Sequence, residues 1–220
     1  RAHGRGRGRC RSLLSLSAQA LSTPDSRKIS KMLHTIGDFE RLGDHAANLV
    51  EAAQELQEKG LSFSHKAKAE LALLQEAIGE ILNFTTKAYA ENNGEEARMV
   101  EPIEQCVDHL VTDIKARHID RLQSGECSIP LGFVLSDVLN NFERISDHSV
   151  NLVGAAEEMH EKHLTFTDAA KDELTVMIGA VSEILDLSQN AFRERDLSAA
   201  TMVEPLEQVV DGLRDTIKSH

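Results

Sequence analysis

The chain is poor in the side chains that most often announce chemistry. Among its 220 residues there is no Trp, one Tyr, seven Phe and only three Cys. Cys10, Cys106 and Cys127 form no CxxC pair. So sparse a set excludes a disulfide framework and a thiolate zinc site, and it points to a reducing compartment. No apolar run approaches the roughly 20 residues needed to cross a bilayer, so the chain as given is expected to be soluble, without membrane insertion. Prolines number four, which leaves room for long helices and omits the punctuation of β-rich folds. Gly-rich phosphate loops and Gly-x-Ser-x-Gly elbows are missing too. His160-Glu161-Lys162-His163 spaces its histidines three apart where a zinc-protease helix needs four. Catalysis is therefore not expected.

Positive charge is also scarce. Acidic residues number 36 against 24 basic ones, for a net charge of −12. Five of the arginines (Arg1, Arg5, Arg7, Arg9 and Arg11) sit at the very start, so the rest of the chain is more acidic still. Such a surface repels nucleic acid and anionic lipid and attracts cations. The alternating Arg/Gly start has no apolar periodicity, and residues 1–17 are expected to be a disordered tail.

What the chain does contain is a repeat. Phe39-Glu40-Arg41-Leu42-Gly43-Asp44-His45 returns as Phe142-Glu143-Arg144-Ile145-Ser146-Asp147-His148, displaced by 103 positions. Without a gap, the same displacement carries Met99-Val100-Glu101-Pro102-Ile103-Glu104-Gln105 onto Met202-Val203-Glu204-Pro205-Leu206-Glu207-Gln208. Residues 18–117 and 118–220 are read as two copies of one unit.

Each copy reads as three amphipathic helices. Thr23-Pro24-Asp25 is a helix start, with a capping Thr, an early Pro and an acidic first turn. Apolar residues spaced three and four apart then run to Glu58, where Gly60 ends the helix. A second helix runs from about Ser64 to Glu91, and Asn92-Asn93-Gly94 turns into a third that reaches about Leu122. Pro130 opens the fourth, and a fifth (Asp168–Arg193, capped by Thr167) and a sixth (Leu197–His220) repeat the second and third. Pro102 and Pro205 fall inside helices, where a kink or local opening is expected. Short links between long helices favour an all-α antiparallel bundle architecture.

Four acidic pairs recur in this frame: Glu40 with Asp44, Glu104 with Asp108, Glu143 with Asp147, and Glu207 with Asp211. A spacing of four sets both carboxylates on one helical face, at a cost of a few tenths of a kcal/mol in like-charge repulsion per pair. Retaining all four while other polar positions diverge (Lys66 against Ala169, Asn92 against Arg195) points to hard cations held by oxygen ligands. Glu101 and Glu204 lie one turn earlier and could add a ligand. The competing reading is a duplicated solvated face whose charge Arg41 and Arg144 balance. His45 and His148 follow the Asp directly, about 100° around the helix. They suit either support of a bound ion or helix packing. Asn48 and Asn151, one further turn along, suit a ligand or a neighbouring helix equally.

The ERxxDHxxN signature, present at Glu40 to Asn48 and again at Glu143 to Asn151, resembles that of the PhoU family of phosphate-transport regulators. Arg117 to Cys127 is similar to the cytosolic PhoU-like domain of bacterial sodium/phosphate cotransporters. The resemblance covers about Ala18 to His220. It implies three-helix bundles in pseudo-repeat, with metal ions, iron or zinc foremost, held by Glu40, Asp44, Glu104, Asp108, Glu143, Asp147, Glu207 and Asp211. It also implies control of phosphate uptake through contact with a membrane transporter or signalling partner, at the cytoplasmic side and without catalysis. Because Thr167–His220 repeats earlier helices, the helix order is permuted relative to two simple bundles. Helices two, three and four are then expected to form one bundle, joining Glu104/Asp108 to Glu143/Asp147. Helix one would join helices five and six, within one chain or by exchange in a homodimer, bringing Glu40/Asp44 to Glu207/Asp211. Separations beyond ~15 Å would exclude that pairing, being too long for any bridged cation. Two other classes stay open: a carboxylate-bridged metalloenzyme, and a metal-free helical adaptor.

Overall fold

The computed structural model describes residues 23–91, 94–162, 168–194 and 197–219. The expected tail at 1–17, the Asn92-Asn93 turn, the Thr167 cap, His163 and His220 lie outside the described residues, as do the side chains around the Thr23 start. Six helices and no strand occur among the described residues: α1 (Thr23–Glu58), α2 (His65–Glu91), α3 (Gly94–Gln123), α4 (Ile129–Glu161), α5 (Asp168–Glu194) and α6 (Leu197–Ser219). None is long and apolar enough to cross a membrane.

Local chemistry explains the boundaries. Ser64 caps α2 by accepting a hydrogen bond from the Ala67 N–H at 3.2 Å. Ser128 precedes α4 in an extended conformation, with Pro130 in the first turn where no donor is missed. Gly60 and Gly125 end α1 and α3 with φ of 61° and 75°, a region costly for any residue with a Cβ. Around Gly60 the Leu61 N–H reaches back to the Leu56 carbonyl at 2.8 Å, and the Gly60 N–H to Gln57 at 3.0 Å. Two orphan carbonyls are thereby satisfied. Both α3 and α6 continue through their prolines. Pro102 and Pro205 are exposed, so water can serve the carbonyl each leaves unpaired one turn back.

Packing follows the permuted order. Helices α2, α3 and α4 pack mutually as one bundle, and α1, α5 and α6 as the other. The displacement of 103 sends α1 to α4, α2 to α5 and α3 to α6, so it relates one bundle to the other. The bundles therefore cut across the linear repeat, and a pseudo-twofold axis passes between α1 and α4, which join them. Those two helices run antiparallel, since His45 meets Asn141 while His148 meets Asp38.

One apolar core runs through both bundles. Leu49, Leu74, Ile78, Leu135, Leu139, Phe142, Ile145, Met177 and Ile184 are at most 1 % exposed within it. Phe142 of α4 meets Phe192 of α5 edge-on at 6.4 Å, across the boundary between the bundles. A smaller cluster of Ile81, Ala88, Ala97, Val100 and Val153 closes the far end of the α2–α3–α4 bundle.

Candidate metal centres on paired helices

The four acidic pairs come together two by two across helices. In the α2–α3–α4 bundle, Glu104 and Asp108 of α3 share an electrostatic field with Asp147 of α4. Burial, reinforced by Asp108, Asp147 and Glu101, pushes the Glu104 carboxyl above its usual range. Asp147 is also raised, first by burial and then by Asp108 and Glu143, with Arg144 pulling the other way. In the α1–α5–α6 bundle, Glu207 is raised by burial and then by Asp211, Asp44, Glu204 and Glu40. Asp44 is raised by burial and then by Glu40 and Asp211. Carboxylates more than a Debye length apart in solvent would scarcely feel one another. Within one chain, Asp147 thus approaches Glu104 and Asp108, and Asp44 and Glu40 approach Glu207 and Asp211, whereas Glu143 pairs with Lys115.

The clusters are not finished coordination spheres. Among the described residues, no three His, Cys, Asp or Glu side chains gather closely enough to hold a metal ion. Each cluster instead has basic neighbours. Lys115 of α3 donates to Glu143 Oε2 at 3.2 Å, and Arg144 stands 3.6 Å from Asp147. Arg214 of α6 is hydrogen-bonded to Glu40 of α1 and lies 3.0 Å from Asp211 Oδ1. Oxygen donors alone suit a hard cation, and iron fits such a set better than zinc, which commonly takes nitrogen or sulfur.

The histidines face elsewhere. His45 donates from Nδ1 to Asn141 Oδ1 at 2.9 Å, and Asn48 donates to the same oxygen at 3.1 Å. His148 donates from Nδ1 to Asp38 Oδ1 at 2.9 Å. Both belong to the seam between α1 and α4, on the packing side of the two alternatives, and Asn48 bonds the neighbouring helix. The repeat could have exposed this seam, because Asp38 and Asn141 are also 103 apart. It could likewise have flagged Arg214, which falls where the first copy has Val111.

These features define a class: an all-helical pair of three-helix bundles, related by a pseudo-twofold axis and carrying an acidic cluster on one helix pair of each. Residues 71–156 match the PhoU domain. That match spans under half of the chain, and the duplicated ERxxDHxxN signature is likewise similar to the family's. The chain is 26% identical over 129 residues to "Phosphate-specific transport system accessory protein PhoU homolog 1" of Thermotoga maritima, covering 57% of this chain and 53% of that protein. It is 23% identical over 143 residues to the PhoU homolog of Streptococcus pneumoniae serotype 4, covering 65% of this chain and 64% of that one. The chain thus spans about half to somewhat under two-thirds of these relatives. No solved structure matches it.

Proposed function

We propose that this chain is a regulatory, non-enzymatic module of phosphate transport that works through contact with a transporter or its signalling partner. Its relatives are described as accessory proteins of the phosphate-specific transport system, which supports that role here. The observation that carries the reading is the approach of Asp147 of α4 to Glu104 and Asp108 of α3 within the PhoU match. In this reading a metal ion would draw these carboxylates, which do not converge on one point without it, into its coordination, with Glu40, Asp44, Glu207 and Asp211 as the duplicated counterpart. Iron suits the oxygen set best.

A bound cation would supply positive charge that cancels the repulsion between the two helices and fixes their spacing. The residues themselves set the surface: an acidic stripe when bare, a nearly neutral one when loaded. A partner that reads that stripe electrostatically would bind the two states differently. Such a module works on the cytoplasmic face of the membrane, against or as part of the transporter.

Co-purification from host membranes tests this, using the full chain and a D108N/D147N variant, with and without chelator. The phosphate transporter is expected with the wild-type chain and reduced with the variant or after chelation. Recovery insensitive to both removes the metal from the reading, and no recovery under any condition removes the transporter.

A further inference from the structure

A cavity lies between the two bundles, away from both acidic clusters. It has a volume of about 280 Å³ and opens to solvent between α2 and α5. These helices are the same element of the two copies, and they barely touch. Gln75 bridges them with a long bond to the Gln189 carbonyl, 3.4 Å. Gly79 and Ser182, Asn83 and Asp186, and Thr86 and Gln189 line the gap as pairs 103 positions apart, so the pseudo-twofold axis runs through it.

The walls sort by chemistry. Phe39 and Leu42 of α1, Leu152 of α4, and Val181 and Leu185 of α5 form a buried apolar floor. Toward solvent come the exposed Asn83 and Asp186, with the half-buried Thr86, Ser182 and Gln189 beside them. An apolar pocket ringed by a few polar groups is the usual form of a small-molecule site. Well-packed interiors leave few voids larger than a water, and this one is nearly twice the ~150 Å³ of a cavity that holds a benzene. Gly79 keeps one wall open. A Cβ there would meet no atom within 4 Å, so packing does not require a glycine, although glycine weakens a helix interior.

Charge selects the occupant. Asp186 is the one ionised group among the described residues that line the cavity, and no Lys, Arg or His joins it. On a chain of net charge −12 such a pocket disfavours anions, inorganic phosphate included. An ammonium fits instead. It carries three donors, which the Asp186 carboxylate and the amide oxygens of Asn83 and Gln189 are placed to accept. The floor suits an apolar body of about the size of a benzene ring.

We propose that this cavity binds a small organic amine, with its ammonium at Asp186 and its apolar body against Phe39, Leu42 and Val181. The site is independent of the metal reading, since none of the eight paired carboxylates lines it. An occupant bridges α2 and α5, and so ties together two bundles that otherwise join mainly through α1 and α4.

Ligand-observed NMR and thermal denaturation of this chain test the site with four probes: phenethylammonium, its neutral analogue 2-phenylethanol, phenylacetate and inorganic phosphate. Wild type is expected to bind phenethylammonium saturably at ~millimolar concentration and to rise in Tm with it. The alcohol should bind about threefold more weakly, and the two anions should neither bind nor compete. D186N should weaken phenethylammonium about threefold, as suits an exposed ion pair, and leave the alcohol unchanged. G79L, whose side chain grows into the open space, should lose the amine and the alcohol together. S182L fills the gap from the facing wall and serves where circular dichroism shows that G79L does not fold. The proposal is overturned if wild type shows no saturable binding of the amine, or if the amine still binds G79L and S182L. Anions that bind as well as the amine, or a D186N variant that binds it unchanged, overturn the proposal too.

Discussion

The His45 ring stacks on the His148 ring, centroids 5.5 Å apart and planes 22° from parallel, although the two residues are the same position of the repeat. Each ring donates to the opposite helix, one to Asn141 and the other to Asp38, again a repeat-related pair. The pseudo-twofold axis therefore passes between the two imidazoles. A polar seam at this point gives α1 and α4 a register that apolar packing would leave loose. On one side the acceptor is a carboxylate, on the other an amide.

That asymmetry predicts unequal costs. H148A leaves the Asp38 carboxylate, 16% exposed, without its donor, and should cost about 1–3 kcal/mol in urea unfolding. D38N should cost clearly less, because Asn141 already shows that an amide oxygen accepts from the matching histidine. Equal losses for the two variants would remove the seam from the account.

His118 and Gly132 give a steric prediction. A Cβ on Gly132 would meet His118 Nε2 at 2.7 Å, and His118 is only 8% exposed, so it has little room to yield. G132A should therefore lower stability by about 1–3 kcal/mol, despite the usual gain from replacing a helical glycine. In G132A/H118A the clash is gone, and calorimetry should show less loss than the two single substitutions sum to.

Phe142 is 0% exposed and packs against Phe192 of the other bundle. F142A should cost about 3–5 kcal/mol. Since one core serves both bundles, unfolding should remain a single transition, monitored by circular dichroism and by scanning calorimetry. Two separated transitions in the wild-type chain would contradict a shared core.

The raised carboxyls Asp44, Glu104, Asp147 and Glu207 set a pH dependence. Their native forms hold protons more tightly than the unfolded chain, so their charges oppose the fold at neutral pH. That penalty disappears as pH falls through the raised values to below the ordinary carboxylate range. In chelator, E104Q/D147N should be more stable than wild type at pH 7 by ~0.3–1 kcal/mol, a range set by the partial exposure of these groups. The difference should close by pH 3.5. His45 acts in the opposite direction, since burial lowers its pKa and keeps it neutral in the fold. Its contribution is lost as pH drops below the ordinary imidazole value, and it cancels in the comparison because both proteins carry it.

Much of this architecture is legible in the sequence. Caps and breakers such as Ser64, Gly60, Gly125 and Pro130 mark the helix ends within a residue or two, because a terminus is decided by chemistry local to it. The gapless repeat exposes the four Glu-x-x-x-Asp pairs and, through the permuted helix order, which pairs meet. The helix-to-helix partners are harder to read. Asp38, Asn141 and the side each histidine takes depend on how α1 and α4 cross, which no local pattern encodes. Lys115 and Arg214 look like ordinary surface charges until the opposite helix supplies Glu143 and Glu40.

The most direct test is elemental analysis of this chain purified without chelator, beside a variant carrying D44N, D108N, D147N and D211N. Stoichiometric iron, or another hard cation, in the wild-type protein and its loss from the variant is the predicted result. Equal metal content in the two proteins would contradict the account.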